Sequence, residues 1–384
     1  MPVVLLTTMK NLFMQNQIIL PFLIGMILLL GSVVSCQNEP PNPPPKLQPN
    51  TSLIAAAQTI PATAVRTLVT PHLNQVIIAG QNLVWSATLQ LAWNELLAFA
   101  GGEVTMEQAT PLAATLNGQT IKAADLRLPP ESYVATAGIV NADFLKTLRQ
   151  AVAPQLQATV LKDAEALPPE TLLAYAYLTR TLPFEWAFKR FEQPFEFDKT
   201  PVATFGLKQY LVKNANEQKL AQQVVILDYR SDADYILELR PTTPAERIIL
   251  AKLTPAATLT ETVNAVLARM KNGTPAALQN LETLIIPVIK VDKLQQYPEL
   301  CGRKMQAPNA AVNGKQFGMV TQYTQFTLDE TGARLESKTI AFSAKSPRQF
   351  IFDQPFLVLL LRQDAPMPYL AVWIANAELL TPFE

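Results

Sequence analysis

The side chains that most often carry chemistry are scarce in this chain of 384 residues: one histidine, His72, and two cysteines, Cys36 and Cys301. A single histidine cannot build a multi-histidine metal site, and a histidine-dependent triad would have to rest on His72 alone. His72 follows Pro71 in a polar segment, the setting of a surface or capping histidine. The charges, 31 Lys+Arg against 31 Asp+Glu, cancel without any basic run, which argues against nucleic acid as a partner. Apolar residues make up 49% and charged residues only 16%, enough to bury a large core. The composition points to a binding protein rather than an enzyme, with no catalytic residue, cofactor or metal expected.

Cys36 closes a leader. Ile18 to Val34 is a nearly continuous apolar stretch without charge, and Lys10 is the only charged residue before it. Val33-Val34-Ser35-Cys36 resembles the bacterial lipobox, in which small or branched residues precede a cysteine that is lipidated before cleavage. The alternative is a plain transmembrane anchor with an incidental cysteine, for which the stretch has the minimum length. Either way the remainder of the chain leaves the cytoplasm. The expected organisation is a lipoprotein signal peptide over 1–35, a lipidated Cys36 with a proline-rich tether over 36–50, and a single domain over 51–384. Prolines in QNEPPNPPPKLQPN lock φ and remove donors, so the tether is a semi-rigid spacer of about 40 Å. Gln37 stands where many lipoproteins retained at the inner membrane carry Asp, which favours the outer membrane of an envelope that has two. Cys301, left without a disulfide partner, reads as a buried structural thiol.

Within the body, Asn82 to Ala100 is so densely apolar that it predicts one buried helix, stopped by Gly101-Gly102. Further helices are expected over Thr105 to Leu116, Asp143 to Val152 and Glu261 to Met270, the last capped by Thr260. Phe188 to Phe197 alternates aromatic and polar residues and suits a strand pair. Strand-like runs follow: Gln223 to Tyr229, Tyr235 to Leu239, Leu284 to Val291, Val320 to Leu328, Thr339 to Phe342, Phe350 to Phe352, Phe356 to Leu361 and Tyr369 to Ala375. Helices early and strands late make an α+β pattern rather than alternating βαβ units.

Five segments, in order, resemble the serpin family. NLVWSATLQLAWNELLAFAGGEVTMEQA is similar to the helix that opens that family's core, and WAFKRFEQPFEFDKT to its strand-and-turn signature. QQVVILDYRSDADYILELRP and LIIPVIKVD are similar to strands of its sheets. In FTLDETGARLESKTIAFSAKSPRQFIFDQPFLVLLLR, Asp329-Glu330-Thr331-Gly332-Ala333 resembles the hinge before a reactive loop, and Phe352-Asp353-Gln354-Pro355-Phe356-Leu357 the anchor after it. The resemblance implies N-terminal helices, a large mixed or antiparallel central sheet, smaller sheets and a reactive-loop segment over about 332–350. It implies a monomeric inhibitor whose loop is cleaved by a serine protease and then inserts into the sheet as a strand. Glu330, Gly332 and Ala333 would serve as hinge and Lys345–Ser346 as the reactive bond, attractive to a trypsin-like protease, with Arg348 as second choice. From Ala333, every second residue (Ala333, Leu335, Ser337, Thr339, Ala341, Ser343) is mostly small and could face a core; the intervening Arg334, Glu336 and Lys338 suit solvent. A half-buried permanent strand has the same pattern.

Departures from the family favour a second reading, a non-inhibitory serpin-fold lipoprotein that binds a partner. Arg334, Leu335, Glu336 and Lys338 replace a run of alanines, Ser86-Ala87-Thr88-Leu89 keeps only the first serine of Ser-Pro-x-Ser, and Gln322 replaces a common histidine. The stretch from Thr159 to Thr171 looks too short for the helix that crosses the family's main sheet.

Overall fold

Runs such as VVIL, YILEL, RIILAK, FLVLLL and LAVWI are apolar at consecutive positions, the pattern of strands covered on both faces. They build the largest sheet of the computed structural model, which describes residues 66–331 and 347–384 apart from 109, 119, 120 and 244. The strand order is Thr67–Val69, Asn82–Ser86, Leu370–Ile374, Phe356–Arg362, Glu246–Lys252, Asp234–Leu239, Val224–Ser231, Ala276–Ala277. Only the first pair is parallel. Trp85, Tyr235, Phe356 and Trp373 lie in its buried core. A four-stranded sheet follows, in the order Gln349–Ile351, Thr283–Pro287, Thr204–Leu207, Lys189–Arg190. Gly206 makes its tight spacing possible: with φ of 146°, a Cβ there would meet the Leu284 carbonyl oxygen at 2.0 Å.

Of the four strand pairs that stand apart from both sheets among the described residues, two are long. Ile289–Gln296 pairs antiparallel with Thr321–Leu328, and Tyr133–Ile139 with Leu172–Leu178. The architecture is α+β with one large mixed sheet and smaller ones, as expected. The strand that precedes the loop, however, belongs to a two-stranded pair and not to the largest sheet.

The helices show where local pattern was overruled. Asn82 to Ala100 is not one helix: Asn82–Ser86 is a strand held between Thr67–Val69 and Leu370–Ile374, and the helix is Thr88–Ala100. Periodicity does not separate a buried strand from a buried helix, so long-range pairing decided. That helix ends as expected, with Gly101 in the left-handed region (φ 76°) and the Gly102 N–H bonded to the Leu97 oxygen. Thr105–Met106 is a short strand, and the next helix starts only at Pro111. Helix Ala142–Ala151, capped by Asn141, matches its expectation. Helix Leu259–Asn272 is capped by Thr258, not Thr260, because Thr258 and Glu261 form a reciprocal capping box.

A helix, Pro154–Glu165, overlaps the start of the stretch Thr159 to Thr171, and its Leu156, Val160 and Ala164 at four-residue spacing pack on Val134, Leu173, Tyr175 and Tyr177 of the second strand pair. The Tyr175 hydroxyl donates to Asp163 at 2.9 Å, tying helix to strand.

Candidate functional site

The two stems of the loop are built differently. The outgoing stem is Thr321–Leu328. Its alternation places Gln322, Thr324 and Leu328 in the interior and Thr321, Tyr323, Gln325 and Thr327 outside. One edge of this strand pairs with Ile289–Gln296; among the described residues the other edge carries no ladder.

Gln322 latches the strand to the floor beneath it. Its amide nitrogen reaches the Ser86 hydroxyl at 3.0 Å, the Thr88 hydroxyl at 3.1 Å and the Ser86 carbonyl at 3.3 Å. Its amide oxygen accepts from the Tyr297 hydroxyl at 2.7 Å. Burial, with Glu299 adding to it, pushes that hydroxyl's pKa up, so it stays a donor. The hydroxyls of Ser86 and Thr88 thus share one amide nitrogen, and Gln322 both donates and accepts. Thr324, next along the same face, has a buried hydroxyl without a hydrogen-bond partner among the described residues.

Past Leu328 the chain turns, with the Thr331 N–H donating to Asp329 at 2.9 Å. Glu330, expected in the hinge, pairs with Arg190 at 3.2 Å, so the stem leaves beside the edge strand Lys189–Arg190.

The returning stem is sealed. Gln349–Ile351 forms the opposite edge of the same four-stranded sheet, parallel to Thr283–Pro287. Arg348 makes a two-point ion pair with Glu282, whose side chain is 4% exposed, and its guanidinium lies 5.2 and 5.4 Å from the ring centres of Tyr229 and Phe350. Asp232 accepts both the Tyr229 hydroxyl at 2.6 Å and the Gln349 N–H at 3.0 Å. Burial and then the Asp232 carboxylate push the Tyr229 hydroxyl up to about 12. Phe350 and Phe352 are fully buried around Tyr235, and Lys252 donates to the Ile351 carbonyl at 2.8 Å and to Asp353 at 2.6 Å. Arg348 is therefore held as an anchor and is not a free bait residue.

The returning stem is thus one edge of the four-stranded sheet, and the outgoing stem ends in an ion pair to the opposite edge strand, three strand spacings or about 15 Å across. The chain from 331 to 347 could extend to roughly 50 Å, so its length does not tether the two stems. The second strand pair offers another open edge. Leu172–Leu178 pairs only with Tyr133–Ile139 among the described residues, and both strands are half-buried along nearly their whole length. Leu172 and Ala174 share an apolar cluster with Trp93 and Leu96 of helix Thr88–Ala100, the helix whose first residue is bonded to Gln322. Both strand pairs therefore contact the same helix, Thr88–Ala100.

Of the expected site residues, Glu330 follows Thr321–Leu328 and is paired with Arg190. Gly332, Ala333, Lys345, Ser346 and the expected strand Thr339 to Phe342 lie outside the described residues, as do Cys36, the leader and the tether. Among the described residues no helix is long and apolar enough to cross a membrane. His72 is partly buried, which lowers its pKa, and its Nδ1 has no hydrogen-bond partner. Cys301 is a free thiol, only partly buried, that donates to the Tyr297 carbonyl at 3.5 Å. Tyr297, Arg190 and Glu282 were not singled out from sequence. Their partners are 25, 140 and 66 positions away, and no local pattern marks them.

No family model matches the chain, and no curated protein matches it. Solved structures do. Serpin-12 of Manduca sexta is 12% identical, with a TM-score of 0.47 over 78% of this chain and 94% of that one. Serpin48 of Tenebrio molitor is 15% identical, with a TM-score of 0.41 over 78% and 92%. Human thyroxine-binding globulin, complexed with its hormone, is 12% identical, with a TM-score of 0.42 over 77% and 92%.

Proposed function

We propose that the protein is a lipid-anchored, serpin-like inhibitor of a trypsin-like protease at the cell envelope. The observation that carries this reading is the asymmetry of the stems: one leaves an open strand edge, the other is locked by Arg348 and Glu282. A protease serine attacks the Lys345 carbonyl and the Ser346 amine departs. The locked stem then stays with the body, while the segment beginning at the hinge Glu330, Gly332 and Ala333 is free to enter beside Thr321–Leu328. A strand set there gains backbone hydrogen bonds on both sides. Roughly ten such bonds at about 1 kcal/mol net would stabilise the inserted form by about 10 kcal/mol. The protein contributes no catalytic group to the cleavage; the attacking serine belongs to the protease.

The test is to mix the full chain with trypsin at near-equal molar ratio. A band at the summed mass that survives denaturation, cleavage after Lys345 and a large rise in melting temperature are the expected results. Clean cleavage with neither complex nor added stability would overturn inhibition and leave the reading of a non-inhibitory envelope protein that binds a partner.

A further inference from the structure

Backbone strain and a buried charge meet at one corner of the four-stranded sheet, beside the returning stem. Gln209 and Leu281 both take left-handed backbone, with φ of 50° and 68°, which a leucine keeps only where its surroundings hold it. Here they do. The Leu281 N–H donates to the Tyr210 carbonyl at 2.6 Å, the Tyr210 N–H to the Glu282 carbonyl at 2.8 Å, and the Gln209 N–H to the Thr283 hydroxyl at 3.2 Å. The corner presents a fixed carboxylate. One oxygen of Glu282 accepts the Gln279 N–H at 2.6 Å and Nη2 of Arg348 at 3.1 Å, and the other accepts Nε of Arg348.

Arginine suits a protease with an acidic specificity pocket as well as lysine does, so something must keep Arg348 out of use. Its main chain is weakly held: the Thr283 N–H reaches the Arg348 carbonyl at 3.5 Å, the limit of a hydrogen bond. The ladder proper starts at Gln349, whose N–H donates to Asp232 at 3.0 Å, and Phe350 beyond it is fully buried. A protease grips its substrate as an extended strand along the main chain. To cut after Arg348 it must draw that side chain into its own pocket and peel Gln349 from the sheet. The first movement strands the buried Glu282 carboxylate without its cation, which is the costly step. We infer that Glu282 is a specificity-determining residue: by holding the Arg348 guanidinium at two points it withholds the Arg348–Gln349 bond and leaves a trypsin-like protease the basic residues earlier in the loop. The inference rests on the reading of that loop as bait. It gives a buried acid outside the loop the choice between basic bonds within it.

The test is a time course of the full chain with a catalytic amount of trypsin. Sequencing of new N-termini separates a cut after Lys345, which exposes Ser346, from one after Arg348, which exposes Gln349. In the unaltered chain the Gln349 terminus is expected to be absent from the early products. Glu282→Gln keeps the shape and removes the charge; Arg348→Lys keeps a residue that trypsin accepts but loses the two-point fork. Each should make the Gln349 terminus appear about tenfold to a hundredfold faster, since a charged hydrogen bond is lost from the local opening that precedes the cut. Arg348→Lys leaves Glu282 in place, so it decides the matter where Glu282→Gln does not fold. An early Gln349 terminus in the unaltered chain overturns the inference, and so does its absence from the folded variants. Gain of that terminus in the variants with Lys345–Ser346 uncut throughout would overturn the bait reading at Lys345 and leave the role of Glu282 standing. A covalent complex through Lys345 without that gain would do the reverse.

Discussion

The eight-stranded sheet and the strand pair Tyr133–Ile139 with Leu172–Leu178 are made of the same kind of residues but end in opposite conditions. In Leu370–Ile374 and Asn82–Ser86 every residue is buried, and in Phe356–Arg362 all but the last. In Tyr133–Ile139 and Leu172–Leu178 nearly every residue is only half-buried, although YVATAGI and LLAYAYL are scarcely less apolar. The difference lies in neighbours. A strand with partners on both edges and layers on both faces is sealed, whereas a two-stranded pair relies on what is laid over it. Here that cover is helix Pro154–Glu165, and its small apolar cluster is separate from the main core. Strength is concentrated in one region and room for change in the other.

The largest expected effect comes from cutting the link between them. Glu246 of the large sheet, with no exposed side-chain surface, pairs with Arg362 at 2.8 Å, accepts the Tyr369 hydroxyl at 2.9 Å and also binds Arg180, just beyond Leu172–Leu178. Glu246→Ala leaves two largely buried guanidinium groups without their carboxylate and should cost about 3–5 kcal/mol in urea unfolding. A loss below about 1 kcal/mol would mean that the two regions are not joined there.

Next, Leu156→Ala should remove about 2–3 kcal/mol of packing under the covering helix. In hydrogen exchange the loss should be confined to 142–165 and to Leu172–Leu178. Equal loosening of Phe356–Arg362 would show one cooperative unit and dissolve the contrast.

Gln322→Ala strands the Tyr297 hydroxyl and should cost about 1–3 kcal/mol, read as faster exchange in Thr321–Leu328. Gln322→His should recover most of this at neutral pH, since a neutral imidazole both accepts and donates. The recovery should fail in acid, where the ring can no longer accept from Tyr297.

The smallest effect is on pH. Burial raises the Glu378 carboxyl, but bonds from Lys293 and Thr67, with the charges of Lys293 and Arg66, outweigh it and hold the carboxyl below its ordinary 4.5. Because the folded value lies below the unfolded one, its contribution is complete above pH 4.5 and is lost as pH falls through the folded value. Lys293→Gln should therefore lower stability slightly above pH 4.5 and so flatten the acid limb, leaving stability below the folded value nearly unchanged. An unaltered acid limb would place the titrating group elsewhere.

Much of the candidate site could be read in the chain, but unevenly. The run Val320 to Leu328 reads as a strand, and Thr321–Leu328 is one; which face is buried came from the structure. Glu330 and Phe352 were marked by resemblance alone; the structure gives Glu330 an ion pair with Arg190 and buries Phe352 against Tyr235. The lock at Arg348 had no such mark. In sequence it is one basic residue after a proline, and its meaning depends on Glu282, 66 positions earlier.

The amino-acid sequence by itself determined the α+β class, the apolar strands of the large sheet, the glycine stop at Gly101 and the scarcity of catalytic groups. Each of these is set by composition or by a period within a few residues. Only the tertiary structure decided that Asn82–Ser86 is a strand, that helix Pro154–Glu165 covers the half-buried pair, that Gln322 finds Thr88 and Tyr297, and that one stem is open while the other is locked. Those outcomes rest on pairings between distant segments. Their energy depends on which neighbour is present, and no local pattern carries that information.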